Sequence, residues 1–345
     1  MLNQLSLTAI ISVAIITIVT SWYLLKVLIG VLLKRSIVDL PNDRTLHQGA
    51  VPRGGGLVIL LALVVTLVTL FFFDNRILLF LALLATLLLW GGLSWWDDQH
   101  DLSPRFRFFL QLVFASLGVF TFGWVTQVYV APRIWFSLAW FAPMISLVGI
   151  VWMANLYNFM DGLDGLAAGQ TIIAGITLAI WFAQLGDASL SLICLVLAAA
   201  SYGFLLWNWS PAKIFMGDVG SISIGAFFAT LIIIANTRYD VPIIALVIVF
   251  GVFAFDSTAT LIYRFVRGER ISQAHRTHYY QRLANIGIAH EKIAIALYIC
   301  MLLCSLIGSL AASSRDMIGL AIFLFVLLIS IALISVKILE RKSSN

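Results

Sequence analysis

Charge is what this sequence has least of. Only 11% of its 345 residues are Asp, Glu, Lys or Arg, while 62% are apolar; a soluble domain carries roughly a quarter charged residues. That scarcity excludes an ordinary water-soluble globule, which cannot hide so much apolar surface, and it requires lipid to cover much of the chain. Cysteine is nearly missing too. Cys194, Cys300 and Cys304 all lie inside apolar runs, at spacings that fit neither a disulfide framework nor a metal site. They read as small buried hydrophobes. No basic residue precedes Lys26, and the first apolar run is too long for a secretory signal and ends at Lys34-Arg35. It is expected to be a retained span and not a cleaved leader. No linker, low-complexity tract, internal repeat or soluble module appears, so residues 1–345 are expected to form one domain.

What the chain has instead is long apolar runs. A spanning helix needs ~20 such residues, and about eleven stretches qualify, near 6–33, 55–73, 77–95, 105–122, 140–157, 166–184, 188–207, 214–235, 241–263, 292–312 and 317–337. The runs lack the alternation of a membrane barrel, and a bilayer core admits only helices or closed barrels. The expected fold is therefore all-α and polytopic, with room for a re-entrant piece between residues 120 and 140. Numbering the loops alternately puts sixteen Lys and Arg on one side and four on the other. By the positive-inside rule the rich side is cytoplasmic, with the N-terminus outside and the C-terminus inside. The net charge of +5 then meets anionic membrane lipids, and calls for no nucleic acid.

The loops on the basic side carry the chemistry. The first runs from Asp39 through Arg44 to His47 and on to Pro52-Arg53-Gly54-Gly55-Gly56, where prolines and glycines stop a helix and cations can meet an anion. The second, Asp97-Asp98-Gln99-His100-Asp101, crowds three carboxylates at a helix C-terminus, against the dipole and against one another. It needs a cation or a basic partner. In the third, Asn155, Asn158, Asp161 and Asp164 recur every three residues, so a helix would align them along one wall, with Gly162 and Gly165 admitting a ligand closely. The fourth, Lys213 to Ser221, sets Asp218 between two glycines at a helix start, a place for a metal ion beside phosphate. The fifth and longest, 264–291, carries Arg264, Arg267, Arg270, His275, Arg276, His278 and Arg282, groups suited to phosphate oxygens. Just before it, Asp256 stands alone in an apolar span, and is expected to face the interior and pair with one of these cations.

The motifs Asp97-Asp98-x-x-Asp101, Asn155-x-x-Asn158-x-x-Asp161-Gly162-x-Asp164-Gly165 and Phe215-Met216-Gly217-Asp218-x-Gly220-Ser221, in this order and on one face, resemble those of the polyprenyl-phosphate N-acetylhexosamine-1-phosphate transferases. That family is of the glycosyltransferase family 4 type. The resemblance spans residues ~35–290, within an architecture of about eleven spans. It implies a Mg²⁺-dependent enzyme, with Mn²⁺ as the other candidate ion, in a bacterial inner membrane. The acceptor would be undecaprenyl phosphate and the donor a UDP-N-acetylhexosamine, whose β-phosphate is attacked with release of UMP. A homodimer is compatible with it. Carried over, Asn158 and Asp218 are the metal ligands, and Asp97, Asp98 and Asp161 the catalytic carboxylates, with Asp97 as base or as orienter of the acceptor phosphate. Asn155, Asp164, Lys213, His275, Arg276, His278 and Arg44 are substrate-binding candidates, Asp164 at the uracil and the basic-loop residues at the diphosphate or sugar.

One departure narrows the donor. The peptidoglycan branch has a run of adjacent histidines where this chain has His275-Arg276-Thr277-His278-Tyr279-Tyr280. A plain N-acetylhexosamine donor is expected, as in the branch that initiates O-antigen lipopolysaccharide, and not a sugar-peptide. Intramembrane prenyltransferases also hold Mg²⁺-diphosphate on Asp-rich motifs, but the amide-rich segment at 155–165 fits no second motif of theirs. A transporter would want its charges near the bilayer midplane, whereas here nearly all lie at one face.

Overall fold

The computed structural model describes residues 6–39, 49–100, 102–269 and 276–344. Arg44, Asp101 and His275 lie outside the described residues. Among the described residues, ten helices are long and apolar enough to cross a membrane. They are α1 (Leu7–Lys34), α2 (Gly56–Phe73), α3 (Ile77–His100), α4 (Pro104–Phe122), α5 (Ala142–Phe159), α6 (Leu166–Gln184), α7 (Ala188–Asn208), α8 (Asp218–Tyr239), α12 (His290–Ser313) and α13 (Ile318–Ser344). The eleventh span is broken. Helices α9 (Ile243–Val249) and α10 (Gly251–Val266) meet at Phe250 with a bend of 83°. The sequence suggests one straight helix at 241–263, because the apolar run continues through the break and composition does not register a change of direction. The bend stands at Gly251, where a Cβ would come 2.3 Å from the Phe325 ring. A short helix, α11 (Tyr279–Asn285), lies between α10 and α12.

The 120–140 segment is not a re-entrant helix. It holds an antiparallel hairpin, β3 (Gln127–Ala131) with β4 (Ile134–Ser137), registered Val128 to Phe136 and Tyr129 to Trp135. Gly123, at φ +92°, ends α4 before it. Ile134, Trp135, Phe136 and Trp140 are exposed, an aromatic group of the kind that settles at a membrane–water interface.

Helix α8 is the axis of the bundle and its most buried span, packed against α2, α3 and α5. Its start meets α2 backbone to backbone: a Cβ on Gly56 would lie 2.2 Å from Gly220 Cα. Local capping fixes other starts. Ser103 accepts from Phe106 N ahead of α4, and Asp187 from Leu190 N ahead of α7.

Two polar assemblies close the bundle at its two ends. At the end opposite the basic loops, Arg76 donates to Asp74 Oδ2 at 2.7 Å and to Asp187 Oδ1 at 2.9 Å. Ser189 Oγ donates to Asp74 at 2.6 Å and Tyr239 Oη to Asp187. This knot ties the α2–α3 turn, the α6–α7 turn and the end of α8 together. Every carboxylate in it has a donor.

Candidate functional site

At the basic end, a chain of backbone hydrogen bonds does the positioning. Strands β1 (Val38–Asp39) and β2 (Val51–Pro52) pair antiparallel, and the chain beyond β2 zips onto the segment that enters α8. Phe215 N donates to Pro52 O at 2.8 Å, Gly54 N and Gly55 N both donate to Phe215 O at 3.1 and 2.9 Å, and Gly56 N donates to Met216 O at 2.9 Å. Gly217 has φ +77°, which favours glycine, and a Cβ there would lie 3.1 Å from Arg53 Cγ and 3.2 Å from Gly54 N. The outcome is that Arg53 lies on Asp218, the first residue of α8, with its Nη2 bonded to Oδ1 and also 3.4 Å from Asp98 Oδ1. Burial works against the charge on Arg53, but Asp218 and Asp98 outweigh it and raise its pKa. Nothing in the sequence marks Arg53 beyond a basic residue before a glycine triplet; its partner is 165 residues away.

Asn158 completes this corner. Its Nδ2 donates to Asp218 Oδ1 at 2.8 Å and to Ser221 Oγ at 3.1 Å, which leaves its carbonyl oxygen for a cation. The expected single wall of Asn155, Asn158, Asp161 and Asp164 is not what forms. Helix α5 ends at Phe159, and the next residues turn through Gly162 and through Gly165 at φ +77°. Gly162 has no room for a side chain, because a Cβ there would lie 2.4 Å from Tyr280 Oη. The four side chains therefore diverge. Asn155 turns to α4, where its Nδ2 donates to Gln111 Oε1 at 2.8 Å. Asp164 Oδ2 accepts from Ala212 N at 3.3 Å and lies 3.5 Å from His290 Nδ1. The Asp161 backbone N donates to Asn158 O at 3.2 Å, while its carboxylate makes no hydrogen bond or ion pair among the described residues. Burial, with Asp218 and Asp164 adding their negative charge against Arg53, holds its carboxyl well above the usual carboxylate range.

The adjacent carboxylates of α3 also part company. Asp98 faces Arg53 and Asp218, while Asp97 faces α4, pairing with Arg107 Nη1 at 2.8 Å and accepting from Leu102 N at 3.1 Å. Beyond Arg107 a groove of about 1030 Å³ runs between α4, α5 and α10, with Arg105, Arg107, Gln111 and Asn155 at its polar edge and Phe108, Trp152 and Phe265 among its apolar walls. Phe108 and Phe265 are exposed, so the groove opens sideways toward lipid.

Asp256 is buried and does pair with the basic loop. It accepts from His278 Nδ1, Tyr279 N and Tyr280 N at 3.0, 3.0 and 3.3 Å, so it caps α11 and fixes His278, whose ring stacks on Phe159 at the end of α5. Tyr280 Oη donates to Phe159 O at 3.0 Å. His278 is thereby buried and engaged in holding the loop on α5. Arg276 is half-buried at the mouth of that loop. Lys213 stays exposed, its ammonium 5.3 Å above the Trp207 ring, and is not gathered among the carboxylates. Buried Asn208 joins the two site loops, accepting from Gly165 N and donating to Ile214 O, both at 2.9 Å. Asn208, Arg107, Gln111 and His290 carry no motif signal and were invisible to spacing arguments.

No three of the described His, Cys, Asp and Glu side chains form a ready-made metal centre. The donor set suits Mg²⁺ in another way, since that ion takes one or two protein oxygens and completes its shell with water and substrate phosphates. Asp218 and the Asn158 carbonyl are oxygens of that kind. Chemically, this end of the bundle offers surplus carboxylates, one guanidinium shared between two of them, and a lipid-open groove adjoining Asp97.

Comparison with known proteins gives a consistent picture. The profile of glycosyl transferase family 4 matches residues 80–236. The chain is 28% identical over 325 residues to the "Probable undecaprenyl-phosphate N-acetylglucosaminyl 1-phosphate transferase" of Bacillus subtilis, covering 93% of this chain and 90% of that protein. It is 32% identical over 236 residues to the phospho-N-acetylmuramoyl-pentapeptide-transferase of Pelobacter propionicus, covering 60% of this chain and 63% of the relative. With the corresponding protein of Lacticaseibacillus paracasei the identity is 41%, over 113 residues that make up 33% of this chain and 35% of that one.

Proposed function

We propose, from the match of residues 80–236 to glycosyl transferase family 4, that the chain transfers an N-acetylhexosamine 1-phosphate from a UDP-sugar to undecaprenyl phosphate. UMP leaves and an undecaprenyl-diphosphate sugar forms, as the first step of O-antigen lipopolysaccharide synthesis at the cytoplasmic face of a bacterial inner membrane. The observation that carries this reading is the meeting of Asp98, Asn158, Asp161 and Asp218 around Arg53, next to a groove open to lipid.

The chemistry needs two phosphates brought together and their charge neutralised. An oxygen of the acceptor phosphate attacks the β-phosphorus of the donor; that P–O bond forms as the pyrophosphate bond to UMP breaks. Asn158 and Asp218 would hold Mg²⁺, which when bound would supply charge neutralisation at the pyrophosphate. Arg53 lies between Asp98 and Asp218 and can turn its fork from carboxylate to phosphate oxygens. Asp98, Asp161 and Asp218 outnumber the one guanidinium of Arg53, so a cation entering with the donor would be held there. The acceptor phosphate is already mostly ionised near neutral pH, so Asp97 acts through Arg107 as an orienter and not as a base. Asp164 and His290 stand together at the far side, where the uracil fits.

Two facts favour a plain amino sugar. The relative matched over 90% of its length is named for N-acetylglucosamine, and this chain has single histidines where the pentapeptide branch has adjacent ones. The test is purified protein with Mg²⁺, undecaprenyl phosphate and a donor panel of UDP-N-acetylglucosamine, its 6-deoxy relatives and UDP-N-acetylmuramoyl-pentapeptide. UMP release and a lipid diphosphate sugar are expected with one of the simple donors. UMP from the pentapeptide donor alone would move the protein to the peptidoglycan branch, and none from any donor would overturn the reading.

A further inference from the structure

Two amides face each other across α4 and α5 where the lateral groove meets the site. Asn155 Nδ2 is doubly used, donating to Gln111 Oε1 at 2.8 Å and to Val151 O at 2.7 Å. That fixes the orientation of both groups: with Oε1 accepting, Gln111 must turn its Nε2 the other way. Gln111 is 1% exposed, and its Nε2 has no hydrogen-bond partner among the described residues. A buried NH₂ group left unpaired is costly, and chains rarely retain one without a use for it. Both amides line the groove.

The neighbours say what the donor is for. Arg107 lies one turn earlier on α4, so the two side chains share a face about 6 Å apart along the helix axis. Arg107 is anchored to Asp97 and lines the same groove. Past Gln111 the groove walls are apolar, with Leu112, Val148, Trp152 and Leu261. Two arginines at the rim, Arg105 and Arg107, with Glu269 there paired to Arg264, then one neutral donor, then hydrocarbon, match a phosphate monoester on a long apolar chain, presented head first. We propose that Gln111 Nε2 donates to a phosphate oxygen of the lipid acceptor, and that with Arg107 it sets the depth at which that phosphate stops. Asn155 is the positioning residue that keeps the donor turned outward. The assignment rests on the transferase reading and adds a residue that touches the acceptor and not the nucleotide sugar.

The test separates the two substrates. Gln111→Met keeps the volume and removes the donor; Gln111→Glu keeps an acceptor for Asn155 and sets a negative charge against the phosphate. Steady-state rates are measured in mixed micelles with undecaprenyl phosphate and the UDP-sugar varied separately, and each variant's melting temperature is compared with wild type. The acceptor KM is expected to rise about tenfold in Gln111→Met, the loss of one hydrogen bond to a charged group, and further in Gln111→Glu. The donor KM should stay within about twofold. An acceptor KM unchanged in Gln111→Glu would overturn the assignment, as would equal shifts in both KM values, which mean a disturbed α4–α5 contact. If Gln111→Met does not fold, Gln111→Glu decides alone. Absence of UMP from the wild type would sink the parent reading instead, so the two failures are distinct.

Discussion

The bundle has two acidic knots, one at each end, and they are built to opposite rules. In the knot of Asp74, Arg76, Asp187, Ser189 and Tyr239, each carboxylate meets an arginine and a hydroxyl. At the other end Asp98 and Asp218 share one arginine, while Asp161 has no donor at all among the described residues. The first arrangement is complete as it stands and holds three turns together. The second carries more carboxylates than cations, which makes it a place for a positively charged ligand to arrive. Acidity alone does not separate structure from function here. The balance of donors does.

Removing one charged group from each knot should have opposite consequences. The largest expected effect is Asp218→Asn, which takes the charge from the proposed metal corner and should lower kcat on the order of a thousandfold in the UMP-release assay. Its melting temperature without Mg²⁺ should hold or rise, because like-charge crowding around Asp161 is relieved. Retained activity would remove Asp218 from the metal site. Arg76→Ala is the mirror experiment. It leaves Asp187, whose side chain is 2% exposed, without its cation, and should destabilise the detergent-solubilised protein by about 2 kcal/mol. The kcat of the folded fraction should be unchanged, and a lost kcat without lost stability would erase the distinction between the two ends.

The smallest effect concerns acid. Hydrogen bonds from Arg76 and Ser189 hold Asp74 at a pKa of about 2, below the ~3.9 of an unfolded aspartate. A depressed acid contributes stability that is present above the unfolded value and lost as pH falls through the folded one. Wild-type melting temperature should therefore drop between about pH 4 and pH 2 with a steeper slope than Asp74→Asn. Equal slopes would show that this knot does not feel its own charge.

Much of the architecture was legible because the bilayer constrains it. Eight spans fell within four residues of their structural limits, while α3 and α13 run five and seven residues past the expected ends, since a helix must match hydrocarbon thickness but can continue beyond it. Asp256 was legible for the same reason: a carboxylate in an apolar span has to find donors, and it found His278 Nδ1 with the backbone N–H groups of Tyr279 and Tyr280. What escaped was non-local. Arg53 and Asp218, or Arg76 and Asp187, are joined across more than a hundred residues, and no local pattern announces such a meeting. The repeat of three through Asn155 and Asp164 was misleading because it continues past Phe159, where the helix does not. Hairpin β3–β4 was hidden by its aromatic residues, which suit a membrane interface in either conformation.

The break at Phe250 sends α10 off at 83° from α9, and it is α10 that supplies the outer wall of the groove. For the proposed lipid acceptor, the route to the site then lies within the plane of the bilayer. Its search becomes two-dimensional, and the quantity that governs saturation is its mole fraction among the surrounding lipids and not its amount per volume of water. Adding plain detergent at fixed total acceptor should slow the enzyme by surface dilution, while the water-soluble donor, arriving from the other phase, feels no such change.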